Sequence, residues 1–225
     1  DGPAAPYPLE IDAPRPVAVL VEHVGLAGWV EASPEPRPPF ILTLQDVLLR
    51  PDDPAQAAAD RFELSLIDRF DGRVVTSPED QALIGARESK LVGNGVEVAA
   101  ARRYAPSRGR PEILFAGPFR SPPHWQGIRE FCSRVYPAVE ASVPGVTLTI
   151  LGGRGAHRLA AGESCFARPS IAIVEELDDV ADALAACALM INPQEELRGS
   201  SLKVIESLAA GRVCVSTRAG ARGRW

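Results

Sequence analysis

No run of about 18 apolar residues occurs in the 225-residue chain, so no segment reads as a membrane-spanning helix. Cysteine is scarce: Cys132, Cys165, Cys187 and Cys214 are widely spaced, mostly among apolar neighbours, and form no CxxC pair. The only histidines are His23, His124 and His157, and no cysteine–histidine spacing suits a zinc site. No D-x-D element stands beside a strand end, so no metal is expected. Lysine is limited to Lys90 and Lys203. Positive charge comes instead from scattered arginines, with no basic stripe interleaved with aromatics, and the net charge is −5. That excludes the ordinary electrostatic footprint of a nucleic-acid binder. Repeats at solenoid periods and a signal peptide are both missing. Since the first residue is Asp1, the true N-terminus is expected upstream. The separated cysteines read as reduced, buried, structural thiols, which favours the cytoplasm.

The sequence does supply an ordinary globular composition, with 46% apolar and 24% charged residues, and enough length for one or two domains. Its 21 prolines and many arginines read as compositional bias. Residues 1–16 are proline-rich and expected to be irregular. Short apolar runs predict strands at Val17–Val21, Phe40–Leu44 and Arg73–Thr76, with a helix over Asp53–Asp68 from the roughly 3.6-residue spacing of its apolar positions. Ser77-Pro78 predicts the start of a further helix, Ser77 as N-cap and Pro78 in the first turn. Val92–Val96 reads as a sharp turn, and the polar, Pro/Gly/Arg-rich Tyr104–Pro111 as a linker.

Beyond that linker, apolar strands and helices alternate. Strands are expected at Ile113–Ala116, Val146–Leu151, Ile171–Val174, Leu189–Asn192 and Val213–Ser216. Helices are expected at Trp125–Ala141 and Asp178–Cys187, with Asp178 and Asp179 at the positive end of the latter's dipole. His124 is placed as a cap of the helix that follows it. This alternation predicts an α/β fold whose parallel sheet is covered on both faces. Ligands of such sheets bind beyond the carboxyl ends of the strands, at the topological switch point.

The most informative segment is Gly199-Ser-Ser-Leu-Lys-Val-Ile-Glu-Ser-Leu-Ala-Ala-Gly211 followed by Arg-Val-Cys-Val-Ser-Thr217. It reads as a loop, a short helix opening on small residues, a glycine stop and a buried strand. Bare N–H groups at such a helix start form a ready site for phosphate. Lys203 and Glu206, three residues apart, share a helix face. A cation and a carboxylate beside an anion-binding helix end suit a ligand carrying both phosphate and sugar hydroxyls. The plainer alternative is that Lys203 pairs with Glu206 on a solvated face.

Several motifs carry a resemblance. Thr76-Ser-Pro-Glu-Asp80, the Val92-Gly-Asn-Gly-Val-Glu97 hinge, Ile113-Leu-Phe-Ala-Gly117, the Val146–Gly153 strand and above all Gly199–Gly223 resemble, in this order, a GT-B glycosyltransferase of the retaining family four (glycosyl transferases group 1), mainly its C-terminal nucleotide-sugar-binding half. Weaker likeness reaches back through Ile41–Asp46 to Val17. The resemblance implies a Rossmann-like parallel-sheet domain over 96–225 and a partial Rossmann-like, acceptor-side domain over 1–95. It also implies that the chain is a fragment, lacking most of the first domain and the family's closing helix.

The resemblance further implies a nucleoside-diphosphate sugar as co-substrate and no other cofactor. The acceptor would be a glycan, a lipid-linked sugar or a small molecule, and peripheral contact with the inner face of the membrane fits such chemistry. By resemblance Glu206 holds the ribose, while Arg198 stands where the family's motif has its first glutamate. The diphosphate falls to Arg120, Lys203, Arg198 and the N–H groups of Ser201 and Leu202, with Gly199 and Ser200 in the same loop. Gly117 and Gly153 end strands where backbone approaches the donor, and the backbone of Glu175 and Leu177 meets the base. His23, Arg120 and Lys203 are the candidate catalytic residues. His23 aligns with a histidine near the transferred sugar, against the alternative of a surface histidine. The rival functions are a degenerate, non-catalytic GT-B domain, favoured by Arg198, and a related epimerase or phosphorylase, disfavoured by the two lysines.

Overall fold

The structure, a computed structural model, describes residues 16–96, 111–177, 180–196 and 199–223. The expectations for 1–15, the linker at 104–110, Asp178, Asp179 and Arg198 lie outside the described residues. The chain divides into two compact units, one of residues 1–94, 198–200 and 223–225, the other of 95–197 and 201–222.

The first unit is a four-stranded parallel sheet of β1 (Val19–Val21), β2 (Phe40–Leu44), β3 (Gly72–Val75) and β4 (Lys90–Leu91), in that spatial order. Its helices are α1 (Ala27–Ala32), α2 (Ala57–Ile67) and α3 (Pro78–Leu83). Leu42, Leu44, Val75, Ile67 and Ile84 form the middle of its core. As the sequence predicts, Ser77 opens α3, its hydroxyl accepting from Asp80 N–H at 3.0 Å and donating to the Asp80 carboxylate at 2.7 Å. No helix is predicted from the sequence where α1 forms. Burial of Ala27 and Val30 on one face offsets the low helix propensity of Gly28, which costs only about 1 kcal/mol.

The second unit carries β5 (Glu112–Ala116), β6 (Thr147–Leu151), β7 (Ile171–Val174), β8 (Leu189–Asn192) and β9 (Val213–Ser216), all parallel, in the order β7-β6-β5-β8-β9. Its helices are α4 (Pro122–Glu130), α5 (Tyr136–Ser142), α6 (Ala156–Ala160), α7 (Val180–Ala186) and α8 (Leu202–Ala209). The sequence pattern predicts one helix over Trp125–Ala141; it is broken by a wide turn at Phe131–Val135, where Tyr136 N–H reaches back to Phe131 C=O. Pro137 explains the break, because it has no N–H for the ladder and its ring crowds the carbonyl four residues back.

Alternation along β5 builds two cores. Ile113 and Phe115 pack into the cluster of Ile128, Cys132, Tyr136, Leu148 and Ile150, while Leu114 faces Leu184, Cys187, Met190 and Ala210. Both faces are therefore covered, and the loops at the strand ends become the accessible functional surface. The four cysteines are free thiols.

Candidate functional site

The strand order of the second unit reverses between β5 and β8. From β5 the chain winds outward to β6 and β7; from β8 it winds the other way to β9. The carboxyl ends of β5 and β8 thus flank the switch point, the place where open parallel sheets of this kind bind ligands. The turn after β5 is tied down by Gly117 N–H to Leu151 C=O at 3.0 Å and Phe119 N–H to Gly152 C=O at 2.7 Å. Gly153 has φ +73°, suiting glycine, and its carbonyl accepts from Ala156 N–H at the start of α6. Gly117 is required for a different reason than the sequence suggests. A Cβ there would lie 2.8 Å from Cγ of His124, so the glycine makes room for an imidazole.

That imidazole meets Lys203. Lys203 Nζ lies 2.7 Å from His124 Nε2 and 5.7 Å from the centre of the Phe115 ring. Both groups are withdrawn from water. Burial pulls the Lys203 ammonium down to about 8, opposed by the nearby Cys214 and Glu206. Burial and then the Lys203 charge pull His124 down to about 4. The Pro118 carbonyl acts the other way on His124, whose Nδ1 has no hydrogen-bond partner among the described residues. At neutral pH the pair is an ammonium donating to a neutral ring. His124, expected to cap its helix, instead sits inside α4, for which Ser121 is the N-cap residue.

The start of α8 differs from expectation in one respect. Ser201 N–H is not bare: it donates to the Arg222 carbonyl at 3.4 Å, because the chain after β9 returns past this point. The Ser201 side chain is buried and accepts from Asn192 Nδ2 at 3.1 Å. Leu202 and Lys203 N–H find no partner among the described residues, as expected for the first turn of a helix. Gly199 and Ser200 group with the first unit. Gly199 has φ +63°, and Ser200 Oγ accepts from Asn94 Nδ2 at 2.7 Å.

The remaining candidates are spread over the second unit's loops, except His23. Arg120 is exposed in the turn before α4 and has no ion-pair partner among the described residues. Glu206 is exposed, and no ion pair with Lys203 forms, so the two side chains are not spent on each other. Glu175 is committed locally: its carboxylate accepts from His157 N–H at 2.9 Å and lies 3.1 Å from His157 Nδ1, which holds it below the usual carboxylate range. Only the backbone of Glu175 and exposed Leu177 remains for a ligand there. His23, in the first unit, is exposed and its Nδ1 accepts from Gly25 N–H at 3.0 Å. Gln194, just past β8, escaped the sequence reading. Its side chain is fully buried, and neither amide atom has a partner among the described residues. No group of three or more His, Cys, Asp or Glu among the described residues could hold a metal ion.

Comparison with known proteins matches residues 110–224, just over half of the chain, to the family described as "Glycosyl transferases group 1". No curated protein sequence gives a significant match. Solved structures share the fold. TarM superposes with a TM-score of 0.72 at 12% identity, covering 88% of this chain and 40% of its own. HepE from Anabaena, solved with UDP and glucose, gives 0.71 at 18% identity, covering 92% and 60%. Sucrose-phosphate synthase from Thermosynechococcus elongatus gives 0.66 at 17% identity, covering 90% and 56%. The chain thus spans between 40% and 60% of the length of these structures.

Proposed function

The chain belongs to the glycosyl transferases group 1 family, and from that membership we propose that it takes part in moving a sugar from a nucleoside-diphosphate sugar to an acceptor. The observation that carries this reading is the half-desolvated Lys203 ammonium, fixed at the switch point beside the open N–H groups of α8. Breaking a sugar–diphosphate bond loads negative charge onto the leaving phosphate. Fixed donors waiting where that charge develops need not reorganise during the reaction. Lys203, Leu202 N–H and Arg120 supply those donors in the second unit; Arg198, Gly199 and Ser200 are assigned to the same task by resemblance. Ser201 contributes by positioning, since its own N–H is engaged.

Glu206 holds the ribose in this reading, with Gly117 and Gly153 shaping the crevice and the 175–177 backbone meeting the base. The donor binds residues 96–225, and 1–95 is the acceptor-side part. UDP is the first nucleotide to test, since HepE binds it. Transfer proceeds with retention and without a metal or further cofactor, onto a glycan, lipid-linked or small-molecule acceptor, in the cytoplasm or at the inner membrane face. His23 is the candidate nearest the transferred sugar by resemblance alone.

The test is thermal-shift titration with UDP, GDP and ADP. A ligand at 100 times its Kd stabilises the fold by about 2.7 kcal/mol. A rise with one nucleotide that is lost in Glu206→Ala supports the reading; no rise with any of them refutes it. A second reading, a domain that binds nucleotide without turnover, is favoured by Arg198 where the family's motif carries glutamate. Binding without transfer by the full-length protein would select it.

A further inference from the structure

Most of the polar groups at the switch point are engaged by backbone or by neighbouring side chains. The Lys203–His124 contact is unusual in joining two side chains that burial penalises separately. An ammonium has three protons to donate. His124 Nε2 takes one at 2.7 Å, the Phe115 ring face lies 5.7 Å away, and no further hydrogen-bond acceptor for Nζ is found among the described residues. The imidazole is itself wedged in place. Its Cγ lies 2.8 Å from where a Cβ on residue 117 would stand, and its ring meets Phe115 edge-on at 6.4 Å between centroids. The lysine head group thus lies between this ring and the face of Phe115.

We propose that His124 is a positioning residue: through Nε2 it fixes the Lys203 ammonium at the switch point and keeps it charged, leaving the remaining two N–H bonds for the diphosphate of the donor. This deepens the donor-binding reading and rests on it for the identity of the ligand. The proton arrangement follows from the chemistry. A protonated lysine can only donate, so Nε2 carries the lone pair and the ring proton sits on Nδ1. The low proton affinity of His124 guards the arrangement, because a second proton would turn the acceptor into a repelling cation. Other groups acting on Lys203 are Cys214 from β9 and Glu206 from its own helix; both favour its charged form, and neither replaces the lost hydration. The role also accounts for Gly117, where any side chain would displace the ring.

The chain has only two lysines, and Lys90 is exposed, so a lysine ¹³Cε spectrum reads Lys203 against an internal control. In the ligand-free protein Lys203 is expected to titrate near 8. His124→Leu, which keeps the bulk and removes the lone pair, is expected to lower its proton affinity about tenfold or more, the worth of a hydrogen bond to a charged group. His124→Gln, which restores an acceptor, is expected to return most of it. A ¹⁵N-histidine spectrum of the unmutated protein at pH 7 needs no variant and should show His124 as the Nδ1–H tautomer. A Lys203 titration unchanged in His124→Leu, or an Nε2–H tautomer, overturns the proposal. Added UDP, GDP or ADP separates the two readings. If none raises the Lys203 titration in the unmutated protein, the donor reading falls, while the ligand-free titrations still decide the role of His124.

Discussion

Replacing Lys203 with methionine should make the protein more stable and deprive it of its ligand. Lys203 titrates near 8 in the fold against an ordinary value of 10.5, and the difference is dominated by loss of hydration. That gap is roughly 3 kcal/mol of unfavourable burial at pH 7. Methionine keeps the length and the packing against Phe115 while removing the charge. Set against the gain is His124 Nε2, which loses its donor and becomes a buried unpaired acceptor, costing about 1–3 kcal/mol. The net expectation is a gain of about 1 kcal/mol, or roughly 2–4 °C in melting temperature for a chain of this size. Denaturant unfolding at pH 7 measures it, and a nucleotide titration on the same sample measures what is lost. A destabilisation beyond about 1 kcal/mol would show that burial of the Lys203 charge is not costly, and a nucleotide response equal to that of the unmutated protein would show that the lysine does not hold the ligand.

The same lysine makes stability depend on pH. Its folded proton affinity lies below its unfolded one, so the burial cost is fully present below about 8 and is relieved as pH rises toward 10.5, where only the unfolded chain keeps the proton. Cys132, pushed up to about 12 by burial, works in the opposite direction above pH 9, so the comparison must be with Lys203→Met. Melting curves from pH 7 to 10 should show the variant's advantage shrinking; an advantage that grows would contradict the assignment. Gly117→Ala places a methyl 2.8 Å from the His124 ring and should cost about 1–3 kcal/mol, together with the Lys203 titration near 8, as read by melting and by ¹³C shift. Glu206→Ala removes an exposed carboxylate without an ion-pair partner among the described residues and should change stability by no more than about 0.5 kcal/mol while abolishing the nucleotide-induced rise.

Much of the second unit is legible in its apolar runs. Three of its strands, Ile171–Val174, Leu189–Asn192 and Val213–Ser216, fall at the expected residues, where short β-branched or apolar runs are bounded by turn or polar residues. The last is not the buried strand expected, because β9 lies at the sheet edge and leaves Val213 and Val215 exposed. The Ser77 cap is equally local and equally readable. Elements of few residues escape: α1, α6 and β4 are too short to show a period, and their formation depends on tertiary burial. The break at Phe131–Val135 has a local signal in Pro137, but the helical spacing of apolar residues runs on through it. At the site, the lysine is visible in its motif, but its partner is not. His124 lies 79 residues away in sequence, and only the adjacency of β5 and β8 brings the two together. The engagement of Ser201 N–H by Arg222 is likewise a property of a returning loop, invisible to any local rule.

Isothermal titration of the unmutated protein and of Lys203→Met with UDP, GDP and ADP at pH 7 asks whether the switch-point cation holds a diphosphate. Saturable one-site binding of at least one nucleotide, weakened about tenfold or more by the substitution, is the expected result. Heats that never saturate with any of the three, or equal affinity in both proteins, would contradict it.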